Sequence, residues 1–486
     1  MQVLDKFNTL DILIDKLKNK FNYLELDVRS LSLFRIILGL SLLYNIIVIR
    51  WSYAVEFLGK DRLIPIAVMH KLNGNNSFSI FDFIHNNSFA YLYLLLTIIC
   101  TLLYTVGYKT KYFSWITLLL VWNILQACSS YCFEFDFYTF QLLFWSCFLP
   151  LDNYFAVSKY KHIRKPNFSV VFVLLFQIVC IYFFNGLAKY GISWKGGYAM
   201  HNILMDFWST HLAANFFVEK AYLYKPLTYF IFYSCLIFPV VLFFPSPKSV
   251  FRYLVVTFLI VFHLSILLMY DEGNFSLTGF AVAALLLPAS FWGSTQKFVE
   301  DNAFSFFKKC RNYALIIFCL FSTYIILVKN LVFCTQYTAV RNWKSVKSIT
   351  NGLHIIDVTA PVKVSFFLQH WQMFAPNPRA KLGWLSFETI KEDGYSYDFM
   401  TNQLITDVPN IYWFPSGYES LLMKYSRNYS YTQKGDKYKI FLNYWIPYKI
   451  RKTKTKIESK NIYFVDYAFL VGDQSEPVMP SVAKST

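Results

Sequence analysis

Apolar runs of bilayer-spanning length recur along this chain, and they limit its fold more than any other feature. Crossing a hydrocarbon core takes roughly 17 to 25 apolar residues in helical form. Runs near that length lie at about 31–49, 90–107, 112–128, 137–150, 169–187, 227–244, 251–270, 275–292 and 313–334, the fourth and eighth being the weakest of the set. The predicted fold is mostly α, a polytopic transmembrane bundle of about nine spans. A composition that is 56% hydrophobic, 20% aromatic and only 15% charged agrees, because soluble domains carry more charge. The nine cysteines fall mostly inside apolar runs, which argues against a disulfide-built ectodomain, although Cys128 and Cys132 are close enough in sequence to pair. No cleavable leader is expected, since residues 1 to 30 are polar and the first long apolar run is already spanning length. Within that segment Leu4, Phe7, Leu10, Leu13, Leu17 and Phe21 recur at helical spacing among lysines, the pattern of an amphipathic helix lying in the interface as an anchor.

Basic residues set the orientation. Lys16, Lys18, Lys20 and Arg29, then Lys109 and Lys111, then Lys159, Lys161, Arg164 and Lys165, then Lys248 and Arg252, then Lys308, Lys309 and Arg311 occupy every second loop. Such loops stay cytoplasmic. The alternate loops carry Glu134 with Asp136, and Asp271 with Glu272. The amino terminus is therefore expected in the cytoplasm of a cell (inner) membrane, and an odd number of spans places residues 335–486 outside. The net charge of +17 is accounted for by this flanking and by contact with anionic lipid, so nucleic acid is not an expected partner. Three regions result: an interfacial segment 1–30, a membrane domain 31–334 and an extracytoplasmic domain 335–486. The last is expected to be small and β-rich, since Leu382–Ile390 and Tyr395–Met400 flank Glu392-Asp393-Gly394 in the manner of a hairpin. Its basic run Lys449–Lys456 reads as a solvated or lipid-facing surface, or as a dock for an acidic substrate.

Ionisable groups inside a span are costly, so each needs a partner or a function. Arg35, early in the first span, reads as a snorkelling or ion-paired structural residue. His263 lies seven residues before Asp271, roughly 10 Å below the outer end of its helix. It reads equally as a neutral histidine bonded across a helix interface or as a site residue. Lys189 closes the fifth span in Asn185-Gly186-Leu187-Ala188-Lys189-Tyr190, ahead of the turn Ser193-Trp194-Lys195-Gly196-Gly197-Tyr198. A lysine there can snorkel, but Gly186 permits close helix approach and Asn185 offers hydrogen bonds, so the amine can be shielded from water. A desolvated amine is a competent general base near neutral pH. Asp136, Asp271 and Glu272 fall at the same outer depth as Lys189 and His263. No zinc-ligand spacing, phosphate loop or Gly-x-Ser-x-Gly elbow is present, which leaves acid–base chemistry on a lipid-accessible substrate.

Several ordered segments resemble the vitamin K-dependent gamma-glutamyl carboxylase superfamily, in particular its bacterial horizontally transferred transmembrane domain proteins. They are Arg29 to Gly39 with Phe34-Arg35-Ile36, Phe57-Leu58-Gly59 to Pro65, Asp136 to Asp152 with Phe140-Gln141-Leu142, Ile181 to Met200, Phe262-His263, and Trp371-Gln372-Met373-Phe374-Ala375-Pro376-Asn377-Pro378. The resemblance covers roughly residues 25 to 380. It implies that Lys189 is the base that deprotonates reduced vitamin K or another hydroquinone. Oxygen then converts the hydroquinone to an epoxide, generating the strong base that permits carboxylation of protein glutamate with carbon dioxide. His263 matches a histidine of the quinone pocket, and Asn185, Tyr190, Trp194 and Tyr198 fall in the cofactor-binding segment. Ala188 stands where the family has a lysine before the base, and Asp136 stands where a histidine serves the carboxylation half-reaction. Quinone chemistry therefore carries over more securely than carboxylation. The expected partners are membrane lipid, a quinone and a secreted protein or peptide substrate. The competing expectation is a non-catalytic membrane factor for maturation or export of a secreted peptide, like the sporulation-delaying toxin maturation protein of the same superfamily.

Overall fold

A computed structural model describes residues 16, 19–60, 62, 65–72, 78–84, 86–128, 132–158, 163–205, 216–217, 220–245, 249–270, 273–293, 306–337, 373–378, 381–390, 394–398, 403–404, 462–468 and 481–484. The expected interfacial helix and the Lys449–Lys456 run lie almost wholly outside these residues, as do Asp271, Glu272, Trp371 and Gln372.

Among the described residues, nine main helices fall where the nine apolar runs are: α1 (Val28–Tyr44), α2 (Asn87–Val106), α3 (Thr110–Ala127), α4 (Glu134–Ser146), α5 (Phe168–Ala188), α6 (Tyr224–Val241), α7 (Val250–Met269), α8 (Phe275–Leu285) and α9 (Phe306–Tyr337). Their starts follow from local capping chemistry. The side chains of Asp27, Asn86 and Asn167 accept from Arg29 N, Ser88 N and Ser169 N, satisfying amides that have no partner within the helix. Gly107, at φ 78°, ends α2 in the left-handed region that glycine enters without strain. The first helix begins three residues earlier than the run predicts, directly after its Asp27 cap.

Among the described residues, six helical segments are long and apolar enough to cross a membrane: Asn22–Leu58, Asn87–Val106, Phe168–Ala188, Ala221–Val241, Val250–Met269 and Arg311–Cys334. The other three of the nine fall short for separate reasons. Lys111, Asn123 and Gln126 dilute α3. α4 has 13 residues and α8 has 11, about 20 and 16 Å at ~1.5 Å per residue. α8 stops at Leu285 and the chain meets Pro288 and a 3₁₀ turn, Ala289–Trp292, instead of continuing as the apolar run suggests. Nine of its eleven residues are buried. It packs on α1 and α7 inside the bundle, so protein rather than lipid is its solvent and full spanning length is not required.

Polar groups inside the bundle are bonded to one another. Ser41 on α1, Thr139 on α4 and Thr278 on α8 converge, with Ser41 Oγ 2.8 Å and Thr139 Oγ1 2.7 Å from Thr278 Oγ1. Asn274 Nδ2 donates to Ser41 Oγ at 2.8 Å and Thr139 Oγ1 at 3.1 Å. Between α4 and α5, Trp145 Nε1 donates to Gln177 Oε1 at 2.5 Å and Gln177 Nε2 donates to Gln141 Oε1. Arg35 is fully buried and corrects the ion-pair expectation. Its guanidinium donates to three backbone carbonyls: Thr105 O at 3.2 Å, Leu151 O at 2.6 Å, and Phe155 O. It thereby closes the C-terminal end of α2 onto the loop after α4, and the wide planar fork of a guanidinium suits three carbonyls that come from separate segments.

Beyond the helices, five short strands form one antiparallel sheet: β1 (Lys381–Ile390), β2 (Ser396–Asp398), β3 (Gln403–Leu404), β4 (Ile462–Ala468) and β5 (Ser481–Lys484), in the order β3-β2-β1-β4-β5. Ile390 lies opposite Ser396, and Lys381 opposite Ala468. Most of residues 335–486 lies outside the described residues.

Candidate functional site

Lys189 stands one residue past the end of α5, where the chain leaves the helix at φ −80°, ψ 52°. Gly186 creates the room for it. A Cβ at Gly186 would meet Leu236 Cδ2 at 2.8 Å, so α5 and α6 approach as closely as the sequence suggests. The lysine is 4% exposed. Its Nζ donates to Met373 O at 3.0 Å, lies 3.5 Å from Asn185 O, and sits 5.3 Å from the centroid of the Trp194 ring. Burial pulls the amine down from its usual value to about 8, against a smaller opposing influence of Cys235.

The motif after the spans supplies the cover. Met373 to Asn377 lie against the turn that follows Lys189. Trp194 Nε1 donates to Phe374 O at 2.9 Å, Ser193 N to Asn377 Oδ1 at 2.9 Å, and Gly191 N to Pro376 O at 3.0 Å. A Cβ at Gly191 would lie 2.0 Å from Asn377 Oδ1, so any larger residue there would have to displace the Asn377 side chain. Phe374 also packs edge-on to Tyr270 at 5.3 Å. The amine is thus enclosed by two segments 184 positions apart in sequence.

His263 lies deeper. It is fully buried, and its Nε2 is 2.8 Å from the Tyr182 hydroxyl. Tyr182 precedes Lys189 by two turns of α5, so the histidine contacts the face that leads to the amine, about 10 Å further in at ~1.5 Å per residue. Phe262, Phe275 and Phe280 surround the imidazole, and Nδ1 has no hydrogen-bond partner among the described residues. A Cβ at Gly279 would meet its ring at 2.2 Å. Gly279→Val is therefore expected to displace the ring from Tyr182 and to destabilise the fold by about 1–3 kcal/mol, the usual cost of overpacking. A denaturation midpoint in detergent checks this, and an unchanged midpoint contradicts the packing.

Asp136 belongs to a different cluster. Its carboxylate accepts from Phe133 N at 2.8 Å, capping α4, and from Asn45 Nδ2 at 2.8 Å, and it pairs with Arg50 Nη2 at 3.0 Å. Arg50 was not singled out by sequence reasoning, yet a signal existed: it is an arginine directly at the end of the first apolar run, where a charge needs a partner. Tyr182 was likewise passed over as one of 36 tyrosines. Of the remaining expected site residues, Trp194 is buried against the amine and Asn185 offers its carbonyl, whereas Tyr190 and Tyr198 are half-buried. Tyr198 instead packs over Gly196, where a Cβ would meet its ring at 2.5 Å.

The class these elements define is a mostly helical protein with apolar helices long enough to span a membrane and a desolvated amine at one end of the most enclosed of those spans. No family model, curated protein or solved structure matches the chain.

Proposed function

We propose that this chain is an integral membrane enzyme that uses Lys189 as a general base on a reduced quinone, in the manner of the vitamin K-dependent carboxylases its motifs resemble. The observation that carries the proposal is the enclosure of Lys189: a buried amine whose contacts are carbonyls and an indole face. Such an amine loses its proton far more readily than an exposed one. The same burial lets it take a proton from a hydroquinone hydroxyl without water competing. Tyr182 and His263, two turns deeper and walled by phenylalanines, suit an apolar ring entering from lipid. The chemistry proposed is oxidation of the hydroquinone by oxygen to an epoxide.

Coupling to carboxylation of a glutamate is the less supported half, because Asp136 is already engaged by Arg50, Asn45 and Phe133 N. The proposal includes nine spans, with α3, α4 and α8 completing the bundle, the amino terminus cytoplasmic and residues 335–486 as an extracytoplasmic, β-rich domain. It also places the protein in the cell's inner membrane, with a secreted protein or peptide as the second substrate. A non-catalytic maturation or export factor would leave the enclosure of Lys189 without purpose.

The test is organic extraction of the purified chain followed by mass spectrometry. A quinone retained by the unaltered protein and reduced in amount in Gly279→Val is expected. Equal trace quinone in both, at the level of the surrounding lipid, overturns binding at His263.

A further inference from the structure

Arg50 ends the π-helical turn Asn45–Arg50 that continues α1, and it is 3% exposed. Beyond Asp136, it faces sulphur. Its Nη1 donates to Cys128 Sγ at 2.9 Å, and its Nη2 lies 3.8 Å from Cys132 Sγ. Cys132 Sγ in turn reaches Cys128 O at 3.3 Å, so the second thiol folds back over the first residue. Two cysteines four positions apart thus converge on one cation. Both are buried, and neither is in a disulfide.

Buried cysteines ordinarily pack as small apolar groups. These two turn instead toward a guanidinium whose charge is already met by Asp136, with Asn45 Oδ1 3.4 Å from Nε. The cation therefore stays paired whatever the oxidation state of the sulphurs. We propose that Cys128 and Cys132 form a two-electron redox couple whose acceptor is a membrane quinone. The two S–H bonds break, one S–S bond forms, and two electrons and two protons pass to the quinone oxygens to give a hydroquinone. Arg50, as a fixed cation, meets the negative charge that a departing proton leaves on Cys128.

Burial selects the acceptor. Thiols this covered cannot be reached by the cysteine of another folded protein, whereas a flat apolar ring can arrive from lipid. Aromatic rings flank the cluster: Phe57 lies 6.0 Å from the guanidinium carbon, and the half-buried Phe133 stacks on Phe135 at 5.1 Å. The choice of a quinone rests on the function proposed above, and the product of this step is the substrate of that one.

The experiment uses the full chain in lipid nanodiscs, reduced, freed of reductant and kept without oxygen. It is incubated with a naphthoquinone substituted at both ring positions 2 and 3, so that thiols cannot add to the ring. Thiols are then alkylated in denaturant and mapped by mass spectrometry. Alkylation is expected to fall from all nine cysteines to seven, with Cys128 and Cys132 in one linked peptide and about one hydroquinone per chain. Cys128→Ala should abolish the hydroquinone, and Lys189→Met should leave it intact, which separates this couple from the fate of the epoxidation reading. Nine alkylated cysteines after quinone, or the linked peptide without hydroquinone, overturns the proposal. Because the linkage is read in the unaltered chain, the outcome does not depend on any variant folding.

Discussion

Lys189→Met is expected to make the protein more stable at pH 7 while removing its chemistry. In the folded chain burial lowers the amine to about 8 from an ordinary 10.5. Between those values the unfolded chain binds more protons than the folded one, so stability rises as pH rises from about 8 to about 10.5. Below about 8 the full cost of holding a buried ammonium is present, on the order of 3 kcal/mol at ~1.4 kcal/mol per pH unit. Methionine keeps the length of the side chain and has no proton to carry. Denaturation midpoints measured across pH 6 to 11 should show the variant ahead at neutral pH and the two converging at the alkaline end. A constant gap, or a variant that is weaker throughout, would mean that the amine is solvated or that its carbonyl bonds dominate.

Asp136→Ala should have the opposite sign. It leaves Arg50 buried with its charge uncompensated, and it removes the carboxylate that accepts from Phe133 N and from Asn45 Nδ2. Breaking a buried pair by removing one partner typically costs about 3–5 kcal/mol. Replacing both partners with apolar groups of similar size, as in Arg50→Met/Asp136→Leu, is expected to recover most of that loss, because the desolvation cost of both charges disappears together. Loss of folded protein from Asp136→Ala and its return in the double variant, read by size-exclusion chromatography and denaturation in detergent, is the expected pair of results. A double variant no better than the single one would show that Asp136 matters through α4 capping alone.

What could be read from the sequence followed local physics. The positions of the helices were visible because apolar runs and loop charges are properties of short segments. Lys189 stood out from an ordinary snorkelling lysine because Gly186 marks a close helix contact, Asn185 offers hydrogen bonds and the chain turns immediately afterwards. The lengths of the helices were less visible. The run containing α8 looks like a span, but the enclosure of nine of its eleven residues depends on α1 and α7, which are distant in sequence. The partners were hidden for the same reason. Arg50 meets Cys128 and Cys132 across 78 and 82 positions. Met373 meets Lys189 across 184. Arg35 looked like half of an ion pair because its charge is visible in sequence, whereas the three carbonyls that receive it are made available only by the end of α2 and the turn at Leu151 to Phe155. Gly59 against Asn87 and Asn377 against Gly191 are contacts of the same long-range kind.

Turnover measures directly whether the enclosed amine is a base for quinone chemistry. The purified chain in nanodiscs is supplied with reduced vitamin K and oxygen, and the epoxide is quantified by mass spectrometry across pH 6 to 9. The unaltered chain should form epoxide at a rate that climbs with pH and levels off above about 8, since only about a tenth of the amines are neutral at pH 7, and Lys189→Met, folded and at least as stable, should form none above background. Epoxide formation by Lys189→Met at the rate of the unaltered chain would contradict that role.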